Sequence, residues 1–198
     1  MRNRRDVQAF FDERAAGWDE MTLAQSSERL ESIVSSLDLC PGDTVLDVGS
    51  GTGALTPLVM PRLEPAGVLV AADISFEMLR AAMAKGNGRC VQSDVLERPF
   101  RPGAFDWVLC YSVFPHFDDQ PAALCALAAL LRPGGRLAIC HSASRAAINA
   151  FHAQVGHVVG GDFLPEDETM RGMLSGAGLL TERFDSLDDR YVVVAGLL

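Results

Sequence analysis

The apolar positions of this chain follow two rhythms. Between residues 44 and 141, short consecutive runs (Val45-Leu46, Val68 to Ala72, Trp107 to Cys110, Leu137 to Cys140) alternate with longer stretches whose apolar residues recur every three to four positions. The short runs read as strands buried on both faces and the longer stretches as the helices that cover them. The pattern predicts strands over 44–48, 67–72, 88–92, 105–111 and 135–141, and helices over 54–63, 75–84, 120–131 and 144–155. Ahead of these, 6–20 predicts a helix with Val7, Phe10, Phe11 and Ala15 on one face, and 27–37 a second with Leu30, Ile33, Val34 and Leu37 at helical spacing. Such alternation builds a mostly parallel sheet with helices on both sides.

After Asp162 the rhythm changes. A helix over 166–176 leads to strands over 179–185 and 190–197, separated only by Ser186-Leu187-Asp188-Asp189. A parallel crossover needs a dozen or more residues, so these two strands must pair antiparallel. No internal repeat, low-complexity tract or linker interrupts the chain. Its 198 residues suit one domain able to bury roughly 70% of its unfolded surface. The expected division is a helical cap over 1–39, a ligand-binding core over 40–141, and a substrate-side helix with the terminal hairpin over 142–198.

The candidate chemistry is concentrated at strand ends. Val45-Leu46-Asp47-Val48-Gly49-Ser50-Gly51-Thr52-Gly53 runs a strand into an acid and then into three alternating glycines, with an apolar helical stretch behind. Glycines there let a ligand approach bare backbone, and the helix that follows offers unpaired N–H groups. Gly49, Gly51 and Ala54 also satisfy the looser glycine spacing of dinucleotide sites, so both readings stand at this motif. Asp73 ends the second strand, where a carboxylate can accept both hydroxyls of a ribose in either fold. Ile74 and Met78 follow it, placed either to pack on a purine face or to fill the core. Asp94 and Val95 end the third strand, where an acid can accept from an exocyclic amine or simply cap a turn. A carboxylate as close to the glycines as Asp47 would repel a pyrophosphate, whereas a cationic ligand without phosphate welcomes it.

Asp-Val-Gly-Ser-Gly-Thr-Gly resembles the first motif of the class I S-adenosylmethionine-dependent methyltransferases. Ala104 to Cys110 resembles that family's fourth strand, and Leu131-Arg132-Pro133-Gly134-Gly135-Arg136-Leu137 the entry to its fifth. The likeness covers about residues 40–141, and Phe10 to Asp19 more loosely. Within the family the chain looks most like small-molecule enzymes similar to the ubiquinone/menaquinone biosynthesis methyltransferases. The resemblance implies a doubly wound α/β sheet of seven strands in the order 3-2-1-4-5-7-6, strand seven antiparallel. It implies S-adenosylmethionine as cofactor, held by Asp47, Gly49, Ser50, Gly51, Thr52, Gly53, Asp73, Ile74, Met78, Asp94, Val95 and Cys110. Trp18 is expected in a lid over the cofactor, where an aromatic ring excludes water and can face a cation. Phe10 and Phe11 are expected to pack into the core.

Two histidines are placed to flank the methyl acceptor: His116 in the loop after strand four and His141 at the end of strand five. Either can take a proton from a nucleophile or orient it; for His116 a purely hydrogen-bonding loop role is the other reading. The segment 142–164, with Arg145, Asn149, His152 and His157, reads either as pocket lining or as a solvated surface. His152 and His157 are five apart and do not stack on one helical face, so no metal site is expected.

Composition narrows the partners. A formal net charge of −9 opposes a polyanion groove, so a nucleic-acid partner is not expected. Arg2, Arg4 and Arg5 read as a solvated end, with no apolar stretch behind them to make a targeting signal. No apolar run reaches the roughly 18 residues of a membrane span. The five cysteines are scattered without a C-x-x-C pair, and most read as small buried hydrophobes, Cys90 and Cys125 above all. The expectation is a cytoplasmic enzyme that methylates a small acceptor, with no membrane partner and an undetermined oligomeric state. A nicotinamide-dependent oxidoreductase and a non-catalytic cofactor-binding module are the alternatives.

Overall fold

The computed structural model describes residues 4–22, 27–86, 89–155 and 158–197. Seven strands form one sheet in the order β3-β2-β1-β4-β5-β7-β6. They are β1 (Thr44–Val48), β2 (Val68–Asp73), β3 (Cys90–Gln92), β4 (Phe105–Tyr111), β5 (Leu131–His141), β6 (Leu179–Ser186) and β7 (Tyr191–Leu197). Pairing is parallel from β3 through β5, while β7 runs antiparallel to both β5 and β6. This is the expected seven-stranded α/β sheet with a reversed strand seven.

The helices are α1 (Arg4–Asp12), α2 (Trp18–Thr22), α3 (Ser27–Ser35), α4 (Thr56–Leu63), α5 (Phe76–Ala84), α6 (Gln120–Leu130), α7 (Arg145–Val155) and α8 (Asp167–Gly176). Successive strand residues face opposite sides. Leu46, Val108, Cys110, Leu137, Ile139 and Val193 therefore join one buried cluster with Leu124 and Leu127 of α6 and Met170 and Leu174 of α8. Val45, Trp107, Leu109, Ala138 and Val192 join the other, with Ile33 and Val34 of α3 and Val59 and Leu63 of α4. The uninterrupted apolar runs exist because both faces of each central strand are covered.

Three expectations change. The helix over 6–20 is broken: α1 stops at Asp12, a 3-10 turn covers Ala15–Gly17, and α2 starts at Trp18. The apolar stripe continues through Ala15-Ala16-Gly17, but the chain bends there to carry Trp18 over the strand ends. α1 has no buried residue, so Phe10 and Phe11 are half-buried cover rather than core. Strand five begins earlier than 135, because Leu131 pairs with Phe105 before the Pro133-Gly134-Gly135 step loops out and pairing resumes at Arg136 with Trp107. Among the cysteines, Cys125 lies on the outer face of α6 and is exposed, Cys90 is half-buried, and Cys110 and Cys140 are the buried pair.

Candidate functional site

The carboxyl ends of β1, β2, β3, β4 and β5 open into a cavity of about 520 Å³. It is walled by Gly49, Ser50, Gly51 and Thr52 after β1, by Asp73, Ile74 and Met78 at β2 and α5, and by Ser93, Asp94 and Val95 after β3. Beyond β4 and β5 it is closed by Tyr111, Val113, His116, Phe117, His141 and Ser142. Phe11 and Trp18 cover it from the N-terminal segment. Three expected residues stand behind this wall: Asp47, Gly53 and Cys110 do not line the cavity.

The glycine turn has the backbone its sequence requires. Gly49, Gly51 and Gly53 have φ of +65°, +54° and +84°, a region that L side chains rarely adopt. A Cβ on Gly49 would lie 2.3 Å from Val113 Cγ2, so the loops after β1 and β4 fit against each other only through that bare Cα. The N–H groups of Gly49 and Ser50 both donate to the Ala72 carbonyl, at 2.8 and 3.1 Å, tying the turn to β2.

Asp73 organises the same turn. Its Oδ2 accepts from the Gly51 N–H and its Oδ1 from the Ser75 N–H, both at 2.8 Å. Burial pushes the Asp73 carboxyl upward, and those backbone donors pull it back. Asp47, 1% exposed at the end of β1, is pushed well above the ordinary carboxylate range, first by burial and then by the Asp73 charge. Its Oδ2 has no hydrogen-bond partner. Among the described residues, neither carboxylate has a Lys or Arg within ion-pair distance.

Asp94 is engaged on both oxygens: Oδ1 accepts from the Leu96 N–H at 2.8 Å, capping a short 3-10 turn, and Oδ2 meets Arg4 Nε at 2.9 Å. Ser50 Oγ and Ser93 Oγ on the cavity wall are buried without a partner. Together with the bare glycine backbone, these orphaned polar groups fit a ligand with an amino-acid end, a ribose and a purine. Cys110 is fully buried beside Cys140, and burial pushes both thiols up, the latter to about 12, so neither is a nucleophile at neutral pH.

The N-terminal segment is clasped to the strand ends by polar contacts. Asp12 accepts from the Ser75 hydroxyl at 2.5 Å and the Glu77 N–H at 3.2 Å. Asp19 accepts from the Thr52 hydroxyl and from Lys85, whose ammonium also donates to the Thr52 carbonyl at 3.1 Å. Trp18 Nε1 lies 3.9 Å from the position of a Cβ on Gly51. Trp18 thus sits over the glycine turn, and Phe11 packs edge-on to it at 5.6 Å.

On the acceptor side, Ser112 takes φ +54° and its N–H donates to the Cys140 carbonyl at 3.0 Å, which turns the chain sharply out of β4. The 3-10 turn Phe114–His116 follows and presents His116 to the cavity. His116 Nδ1 lies 2.6 Å from Asp162 Oδ2. His141 also lines the cavity, but burial, reinforced by the charges of His116 and His152, lowers it to about 3. A histidine so weakly basic stays neutral at pH 7 and is a poor proton acceptor.

The polar residues of 142–164 mostly turn inward on that segment. Arg145 Nη1 pairs with Glu166 at 2.6 Å, Asn149 exchanges two hydrogen bonds with the Leu164 backbone, and His152 Nδ1 meets the Asp162 carbonyl. Among the described residues of this stretch, Ser142, Ala143 and Ile148 reach the cavity. His157 lies outside the described residues. Among those described, no group of three His, Cys, Asp or Glu is placed to hold a metal. Sequence reasoning missed Asp162, Arg29 and Tyr111. Arg29 donates to the Ser142 carbonyl at 3.3 Å, and the Tyr111 hydroxyl lies 2.9 Å from Ser142 Oγ. None of the three carries a local sequence signal, because their partners are 46, 113 and 31 positions away.

Comparison with known proteins agrees with this geometry. Residues 46–139 match a family model described as a methyltransferase domain. The chain is 31% identical over 166 residues to a ubiquinone/menaquinone biosynthesis C-methyltransferase of Idiomarina loihiensis, covering 69% of this chain and 66% of that one. It is 35% identical over 144 residues to a demethylmenaquinone methyltransferase of Mycolicibacterium paratuberculosis, covering 70% and 60%. The chain thus spans less than two thirds of the length of each. A putative methyltransferase of Haloferax volcanii, solved in complex with the Trm112 activator, superposes with a TM-score of 0.81 at 21% identity over 94% of this chain and 96% of that one. The magnesium protoporphyrin IX methyltransferase of Synechocystis with bound S-adenosylhomocysteine superposes with a TM-score of 0.74 at 20% identity, over 98% and 99%.

Proposed function

Because the chain belongs to the class I S-adenosylmethionine-dependent methyltransferases, we propose that it transfers a methyl group from S-adenosylmethionine to a small-molecule acceptor. One observation carries the reading. Two buried carboxylates, Asp47 and Asp73, stand at adjacent strand ends against a positive-φ glycine turn, with no Lys or Arg among the described residues within ion-pair distance. A pyrophosphate would be repelled there, whereas a ligand with ammonium and sulfonium charges is attracted.

In this reading Asp73 accepts from the ribose hydroxyls, Asp94 and the Val95 backbone read the purine edge, and Ile74 and Met78 pack on its face. Gly49 to Gly53 let the amino-acid end approach bare backbone beside the unpaired Ser50 hydroxyl, and Asp47 supplies the opposing charge from behind the turn. Bound there, the cofactor supplies an electrophilic methyl on a cationic sulfur. Phe11 and Trp18 exclude water, which strengthens every charge interaction inside the cavity. His116 receives the acceptor's proton where the acceptor carries one. Holding the two reactants in line contributes most of the rate of such a transfer.

The acceptor is small, since the described residues leave only the N-terminal segment and the start of α7 to wall it. The relatives named for quinone biosynthesis support a small-molecule substrate; the acidic balance argues against nucleic acid. Five free cysteines support a cytoplasmic location, and the described residues include no helix long and apolar enough to cross a membrane. The three-part division at residues 39 and 141 belongs to the same reading.

Calorimetric titration tests it. S-adenosylhomocysteine is expected to bind the full chain in the micromolar range or tighter, with NAD giving no comparable heat. Tighter binding of NAD would overturn the assignment.

A further inference from the structure

We infer that Asp162 is the positioning residue for His116, fixing its ring as the Nδ1–H tautomer so that Nε2 accepts the proton of the methyl acceptor. The inference rests on the methyl-transfer reading above. Asp162 lies between α7 and α8, 46 positions from His116, and its carboxylate is almost wholly withdrawn from solvent. An ionised carboxylate can only accept, so the proton of the 2.6 Å contact sits on Nδ1 and the ring's lone pair on Nε2.

The carboxylate is itself held from several directions. The Asp162 N–H donates to the Val159 carbonyl at 3.1 Å, and its carbonyl takes His152 Nδ1–H from α7. Gln120, at the start of α6, donates to the neighbouring Phe163 carbonyl at 2.9 Å, and Asn149 brackets Leu164. The elements that fix Asp162 therefore include the helix that follows the His116 loop. Phe11 packs edge-on against the His116 ring at 5.3 Å from the cover side, leaving the imidazole little rotational freedom.

The other cavity histidine cannot substitute. His141 is too weakly basic where it lies, and His152 is not among the residues that line the cavity. His116, opposite an acid, is the ring whose positive charge has a counter-ion ready. As the proton of an acceptor O–H, N–H or S–H passes to His116 Nε2, the acceptor's electron pair forms the new bond to the methyl carbon. The electron pair of the broken C–S bond stays on sulfur, and the imidazolium, neutralised by Asp162, later releases its proton to solvent. A role limited to holding the loop would use the same Nδ1–H bond, but would not call for a ring that also lines the cavity, as His116 does.

Long-range 15N–1H correlation spectra of the histidine rings, recorded on the full chain with and without S-adenosylhomocysteine, decide the matter. In the wild type His116 and His152 are both expected as Nδ1–H. Asp162→Asn presents an amide N–H to Nδ1 and should shift the His116 tautomer ratio at least about tenfold toward Nε2–H. His152, bonded to a main-chain carbonyl, should keep its Nδ1–H and serve as the internal reference, and Asp162→Glu should restore much of the wild-type ratio. An Nε2–H tautomer at His116 in the wild type, or an unchanged ratio in Asp162→Asn, overturns the inference. The wild-type spectrum decides alone if the variants do not fold. Failure to bind S-adenosylhomocysteine would count against the methyl-transfer reading, while the ligand-free spectra would still decide the tautomer.

Discussion

Asp47 is a costly residue to keep. It is buried at the end of β1 with an oxygen that has no partner, beside a second acid. Its folded-state carboxyl sits well above its ordinary value of 3.8, because burial and then the Asp73 charge disfavour the anion. A raised acid stabilises the fold fully below 3.8 and loses that contribution as pH climbs toward the raised value. Each pH unit in that window costs up to about 1.4 kcal/mol. Asp47→Asn should therefore raise the melting temperature of the ligand-free protein more at pH 7 than at pH 4, while weakening S-adenosylhomocysteine binding. Scanning calorimetry at the two pH values checks this, and equal shifts at both would contradict it. The destabilising acid is retained at the point where a cationic ligand would offset its cost, an arrangement in which stability is given up for binding.

At the scale of elements, α1 shows what holds a cover that buries nothing. Asp12 anchors its C-terminal end through the Ser75 hydroxyl and the first turn of α5, and Arg4 anchors its start through Asp94. Asp12→Ala removes a partly buried acceptor from two donors and should cost about 1–2 kcal/mol of local stability. Backbone amide exchange over Arg4 to Asp12 should then accelerate roughly tenfold while β1 and β4 stay protected. Unchanged exchange in α1 would show that the aromatic contacts hold it alone. The broken 6–20 helix illustrates where a sequence stops speaking: the amphipathic stripe is real, but the bend is imposed by what Trp18 covers. The strands were legible for the opposite reason, since a strand buried on both faces needs an apolar run whatever its neighbours are. The three strand-end acids could be read from position alone. The Asp162 contact could not, because no periodicity links residues 46 positions apart, and the polar stretch 145–164 gave no sign that Asn149 pairs within it and Arg145 just beyond it.

For the molecule as a whole, the surface charge follows the composition. With a net charge of −9, the chain as a whole repels polyanions. Micromolar protein should leave the mobility of RNA and of duplex DNA unchanged at low salt, where electrostatic attachment is strongest. A salt-sensitive shift in the gel would reverse that reading and point to an acceptor on a polymer.

The placement of β7 sets a further condition, on how the chain is made. In space β7 lies between β5 and β6, and among the described residues β6 pairs with no other strand. In the order of synthesis it comes after both. While a ribosome is still adding residues short of Tyr191, β5 shows one unpaired edge and β6 shows two. The nascent sheet is therefore split, with its cavity wall at His141 unsupported, until the final strand slots in. Any chain released before that point carries exposed strand edges, the feature most prone to aggregate. Quality control during translation, rather than the equilibrium stability of the finished fold, is where errors in this hairpin would first be felt.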